Sequence, residues 1–195
     1  MYICILDFEA TCGVGIDHNE QEIIQFPSIL YKYIDDKVIK IDSFDEYVKP
    51  MKNQTLNEFC IKLTGIQQDT VNKASSLEIV YKKHLSWLLN HTNKDDLVVF
   101  VIVGKWDLNQ LNSELNRLNI KIDTIYKNYI DISNDFSKFY NTKYKGLINM
   151  LKHLNLEYTG HQHNGMDDCI NTEKIFEKMI SDGYNIKQMN IITIL

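Results

Sequence analysis

Apolar and polar positions along the chain repeat with two periods, one of strands and one of helices. Tyr2 to Leu6 is an unbroken apolar run, the pattern of a strand buried on both faces, and this predicts a place in the middle of a sheet. Residues 22–33 and 37–48 are β-rich runs separated by Asp35-Asp36, which predicts a hairpin or meander. Pro27 within the first run predicts an edge position or a bulge, because proline donates nothing to a strand ladder. Residues 97–103 read as a second buried strand and 130–132 as a short one. Leu77, Val80, Tyr81, His84, Leu85 and Leu88 recur at helical spacing and predict an amphipathic helix over 76–90; Leu108, Leu111, Leu115 and Leu118 predict another over 107–118. Helices are also expected over 133–140, 146–154 and about 166–181, the last stopped by Asp182-Gly183. Three opening strands followed by alternating helices and strands predict an α/β layer fold, a mixed β-sheet flanked by helices. Neither an internal repeat nor a low-complexity linker interrupts the pattern.

Composition narrows the class. With 195 residues, 44% of them hydrophobic, the chain is expected to form a single domain over 1–195 around one core. Its apolar start lacks a basic leader and runs at once into Asp7, so it reads as a strand rather than a signal peptide. No apolar stretch is long enough to span a bilayer, so no membrane association is expected. Cys4, Cys12, Cys60 and Cys169 lie far apart in no Cys-x-x-Cys pair, which points away from zinc and redox dithiols and toward reduced thiols inside a cell, cytoplasmic or nuclear. A formal charge of −5 argues against a general polyanion-binding surface. It remains compatible with an enzyme that holds phosphate through metal ions.

Candidate chemistry sits where the buried strands end. Asp7 and Glu9 follow the first strand two positions apart, so strand alternation points both side chains to one face. Carboxylates this close to a core need compensation, and a cation is the natural one. Asp107 follows the second buried strand and opens a helix; taken alone it reads as a helix cap. The polar loop 160–168, flanked by glycines, leads into the last helix. There Asp168 shares a stripe with Thr172, Ile175, Phe176 and Met179 and is expected to point inward, while Asp167 aligns with Asn171, Lys174 and Lys178 and is expected to face water. His163 acts from the loop, with Gly165 permitting the turn, and can take a proton near neutrality. The other five histidines, His18, His84, His91, His153 and His161, have no such setting and read as structural or solvent-exposed. Four oxygen ligands without a cysteine or multi-histidine cluster favour Mg²⁺ or Mn²⁺ over Zn²⁺.

This pattern resembles the DEDDh exonucleases, named for four acidic residues and a histidine. Within them it is similar to the Eri-type exoribonuclease branch, which contains the histone mRNA 3′ exonuclease. The resemblance is carried by residues 2–12, 22–27 and 59–66, by Trp106-Asp107, and by 160–168, so it covers the chain from Tyr2 to about Gly183. It implies an RNase H-like fold and hydrolysis from a 3′ hydroxyl end, releasing nucleoside 5′-monophosphates. Asp7, Glu9, Asp107 and Asp168 would hold two metal ions, and His163 would deprotonate the attacking water. Ala10 would approach the terminal sugar through its backbone, and Phe59, Leu63 and Trp106 would seat the last bases. The implied substrate is single-stranded RNA or an RNA 3′ overhang, with DNA exonucleolysis and non-catalytic RNA binding as the alternatives. The sequence departs from the branch at Gln25, where Glu is usual, and at Val103-Gly104-Lys105, which replaces a more polar approach to Trp106-Asp107. Neither departure removes a ligand. An N-terminal nucleic-acid-binding extension of the kind some relatives carry is not expected in these 195 residues, so stem-loop selectivity that depends on one is not predicted.

Overall fold

The first apolar run forms β1 (Tyr2–Leu6), with every residue buried. The computed structural model describes residues 1–93 and 95–193. After β1 the chain continues through β2 (Glu9–Ala10), β3 (Ile23–Ile34) and β4 (Lys37–Lys49). Two short helices, α1 (Glu58–Thr64) and α2 (Gln68–Lys73), lead by β5 (Ser75–Ser76) into the long α3 (Leu77–His91). Next come β6 (Val98–Ile102), α4 (Trp106–Arg117), β7 (Asn128–Asp131), α5 (Ile132–Phe139), α6 (Leu147–His153), α7 (Gly165–Ser181) and β8 (Ile192–Thr193). The strands form one mixed sheet in the order β5-β4-β3-β1-β6-β7-β8, with β2 also paired to β3. β1 runs antiparallel to β3 and parallel to β6, so the two all-apolar strands are neighbours at its centre. No helix among the described residues is long and apolar enough to cross a membrane.

Strand alternation sorts the core into two layers. Tyr2, Cys4 and Leu6 pack with Val80, Tyr81 and Leu88 of α3 and with Leu108, Leu111 and Leu115 of α4. Ile3 and Ile5 face the other way, onto Phe136, Met150, Leu151, Ile175, Phe176 and Met179 of α5, α6 and α7. Each such side chain removed from water contributes roughly 1.5–3 kcal/mol. The odd-numbered face of β1 is therefore the α7 face, and Asp7 and Glu9 continue its numbering. His84, read as structural, is fully buried between Ser28 Oγ (2.9 Å) and the Tyr126 hydroxyl (2.6 Å), and burial pushes its imidazole down to about 3.

The expected strands and helices are present with ends shifted by one or two residues. Pro27 departs from expectation: β3 is an interior strand between β1 and β4, and its bulge against β4 lies at Leu30/Tyr31. The ladder explains the tolerance. β1 pairs with β3 as far as Leu6↔Ser28 and β2 resumes at Glu9↔Gln25, so Pro27 faces the break where Asp7 and Phe8 leave the ladder and no N–H is required.

The same break admits α7. A Cβ on Gly165 would stand 2.5 Å from the Asp7 carbonyl oxygen and 2.8 Å from the Pro27 ring, so only glycine lets the helix start this close to β1. Gly165→Ala is expected to destabilise the protein by about 1–3 kcal/mol through overpacking, lowering the melting temperature by roughly 2–4 °C per kcal/mol in a thermal melt.

Candidate active site

Four carboxylates from three stretches of chain meet at the carboxyl end of β1. Asp7 lies in the break after β1, Glu9 in β2, Asp107 in the first turn of α4 and Asp168 in the first turn of α7. Asp107 does not cap its helix, as it would read alone; Lys105 is at the cap position. The Asp107 carboxylate instead accepts a hydrogen bond from the Phe8 N–H (2.8 Å), a donor freed where β1 leaves the ladder. Asp168 receives the His163 N–H at Oδ2 (3.0 Å), and the Tyr158 hydroxyl lies 2.8 Å from its Oδ1. Side-chain ligand atoms of Glu9, His163 and Asp168 all lie within 4.8 Å of one another.

The loop that supplies His163 is built differently from expectation. Gly165 is the first residue of α7 and has no positive φ; the left-handed positions are Gly160 (φ 90°) and His163 itself (φ 63°). Asp167 does not simply face water. It is half-buried, its Oδ2 accepts the His161 N–H (2.8 Å), and it packs so closely on Gly160 that a Cβ there would be 2.3 Å from its carboxyl carbon. Asn171, on the same stripe, is fully buried and pairs with both the N–H and the carbonyl of Thr159 (3.0 and 2.8 Å). Backbone outside any ladder must find partners, and here the outer stripe of the helix provides them.

Among the described residues none of the four carboxylates forms an ion pair with lysine or arginine. Burial, reinforced by Asp107, Asp168 and Glu9, holds the Asp7 carboxyl well above the usual range. Burial, with Asp168 and Asp107 adding, pushes Glu9 up to about 9. Burial raises Asp107 to about 7 against the pull of the Phe8 N–H, and raises Asp168 against the Tyr158 hydroxyl and His163. Hard oxygen donors, crowded and without a cationic partner among the described residues, fit a divalent metal ion.

A cleft of about 360 Å³ opens over this cluster, lined by Asp7, Phe8, Glu9, Gln162, His163 and Asp168 on one side and by residues 146–149 at the start of α6 on the other. Asp107 lies beneath it, 4% exposed. Ala10, Phe59, Leu63 and Trp106 are not among the lining residues. Ala10 is buried in β2 with its carbonyl 3.7 Å from Cys60 Sγ of α1; Phe59 (56% exposed) and half-buried Leu63 stand one turn apart on α1; Trp106 is 36% exposed at the start of α4. Sequence reasoning missed Tyr158 and the α6 wall, because neither a lone loop tyrosine nor a Gly-Leu helix start carries a chemical signature.

The family described as Exonuclease (RNase T) matches residues 4–176. A solved nuclease domain of 3′hExo, described as a DEDDh family member bound to rAMP, superimposes with a TM-score of 0.88 at 34% identity, covering 100% of this chain and 97% of that one. The chain belongs to the DEDDh exonuclease family. Its mixed sheet is the RNase H-like sheet of that family. Among curated relatives, 3′-5′ exoribonuclease 1 of Rattus norvegicus is 35% identical over 192 residues, 95% of this chain and 55% of that protein. ERI1 exoribonuclease 2 of Xenopus laevis is 33% identical over 203 residues, 95% of this chain and 29% of that protein. The chain thus spans 29% and 55% of the length of these two curated relatives.

Because the carboxyl pKa values are raised in the fold, their contribution to stability is complete below the unfolded value near 4.5 and is lost as pH rises through the folded value, about 9 for Glu9. The metal-free protein is therefore expected to melt progressively lower from pH 5 to pH 9, Mn²⁺ to reverse the loss, and Glu9→Gln to flatten the profile, as read by thermal melts in EDTA and in Mn²⁺.

Proposed function

We propose that residues 1–195 form one exonuclease domain that hydrolyses RNA from its 3′ end and releases nucleoside 5′-monophosphates. The observation that carries this reading is the cluster Asp7, Glu9, Asp107 and Asp168, crowded at a strand end without a cationic partner among the described residues and open to a cleft beside His163. These four carboxylates are the residues that would hold two Mg²⁺ or Mn²⁺ ions. Divalent ions in such a site supply neutralisation of the phosphate and of the departing 3′ oxygen. Named relatives that are exoribonucleases, and a family structure bound to rAMP, support RNA as the substrate class.

The protein's own groups do the rest. His163 is exposed at the cleft, so its imidazole takes the proton of the attacking water and returns it to solvent. Its backbone N–H, together with Tyr158, keeps Asp168 oriented toward Glu9. The Phe8 N–H does the same for Asp107. Exposed Phe59 and Trp106, with half-buried Leu63, offer apolar surface on which terminal bases stack irrespective of identity, and Ala10 borders the sugar through its backbone. The substrates this reading favours are single-stranded RNA and RNA 3′ overhangs, whose unpaired terminal bases are free to splay onto these side chains.

Mg²⁺ or Mn²⁺ is expected to support stepwise shortening of a 3′-hydroxyl RNA oligonucleotide, EDTA to stop it, and His163→Ala to slow it about 10²- to 10⁴-fold. Asp7→Asn should abolish shortening at every metal concentration, and unchanged digestion by that variant would remove this site from the explanation. A matched DNA oligonucleotide is expected to be cut more slowly than RNA; equal rates would replace the RNA reading by a dual-specificity one.

A further inference from the structure

Gln25, the position that reads as a departure from the family resemblance, is fully buried in β3 and bridges the first turn of α7 to β4, two elements also tied further along by Lys40 and Glu173. Its Oε1 accepts the backbone N–H of Gly165 (3.0 Å), and its Nε2 donates to Asp45 of β4 (3.1 Å to Oδ1, 3.4 Å to Oδ2). The Gly165 N–H is one of the first-turn donors that an α-helix leaves without an internal acceptor. It sits where α7 presses on the Asp7 carbonyl and the Pro27 ring, three residues before Asp168. A rise or slip of the helix at this point moves Asp168, and with it the His163 backbone bonded to its carboxylate, relative to Glu9.

The place suits an amide. Gly165 requires an acceptor, the exposed Asp45 carboxylate offers an acceptor on the other side, and one glutamine side chain serves both, with its orientation fixed by the two partners. A glutamate would accept from Gly165 equally well. It would then confront Asp45 across the same gap with no proton to share unless one of the two is neutralised.

We propose that Gln25 is a positioning residue for the carboxylate cluster: oriented by Asp45, its amide fixes the first turn of α7 and hence the spacing of Asp168 and His163 from Glu9. Gln25 touches neither substrate nor metal in this role and acts through Gly165. The inference rests on the exonuclease reading of the cluster. Its consequence is large because displacing reacting groups by 1 Å costs on the order of 10²-fold in rate.

The test compares the wild-type chain with Gln25→Glu, Asp45→Asn and the double variant. It reads kcat and KM on a single-stranded RNA oligonucleotide and the Mn²⁺ concentration giving half of the metal-induced rise in melting temperature. Gln25→Glu is expected to lower kcat at least tenfold and to raise the half-saturating Mn²⁺ concentration at least tenfold, with KM changed less than threefold. Asp45→Asn alone, still able to accept from the amide, should stay within threefold of wild type. Combined with Gln25→Glu it should restore both quantities to within threefold, because asparagine donates to the new carboxylate. Wild-type behaviour of Gln25→Glu, failure of rescue, or a change in KM rather than kcat would each overturn the proposal. Should Gln25→Glu fail to fold, Gln25→Met, which breaks both bonds without adding charge, must show the same loss of Mn²⁺ affinity or the proposal fails. An inactive wild-type protein would instead count against the exonuclease reading, while the Mn²⁺ titration of the melt still decides the role of Gln25.

Discussion

Like-charged carboxylates held together in a poorly solvated place are the constraint around which the rest of this structure is arranged. Burial raises the proton affinity of Asp7, Glu9, Asp107 and Asp168, and the neighbouring carboxylates of the cluster add to it at Asp7 and Glu9. A fold meets such a cost only when the surrounding frame is stiff enough to keep the groups from separating. Here the frame consists of two adjacent, fully buried strands, β1 and β6, sandwiched between α3 and α4 on one face and α5 to α7 on the other. The local devices are small. Pro27 stands opposite the ladder break, Gly165 allows a helix to touch the exposed strand carbonyl, and the Phe8 N–H crosses to Asp107.

The same arrangement bears on how an acidic chain would hold the RNA proposed as its substrate. The protein contains a single arginine, Arg117, and its guanidinium is engaged by the carbonyls of Asn19 and Gln21 (2.5 and 3.0 Å), tying the loop after β2 to α4. No arginine is left to clamp a phosphate bidentately. In the proposed reading, affinity for a strand end rests instead on divalent ions at the cluster, on lysines, and on apolar surface at Phe59, Leu63 and Trp106.

Much of this was legible in the chain because the informative segments have strong local signals. A five-residue apolar run leading into Asp-x-Glu reads as a buried strand that delivers two carboxylates to one face, and the run is fully buried as β1. The stripe Asp168, Thr172, Ile175, Phe176 and Met179 proved to be the buried side of α7. What was not legible depends on tertiary contacts without a periodic trace. β2 and β5 have two residues each and exist through their partners. Asn171 reads as a surface residue by stripe yet is buried, because Thr159 needs partners for its backbone. Gln25 is visible in sequence only as an oddity; its double hydrogen bond explains the choice of an amide.

The most direct test of the central claim is anomalous diffraction from crystals of the protein equilibrated with Mn²⁺. The account predicts two peaks about 4 Å apart, coordinated by Asp7, Glu9, Asp107 and Asp168. Peaks elsewhere, or none at this cluster while the carboxylates keep the spacing described above, would contradict it.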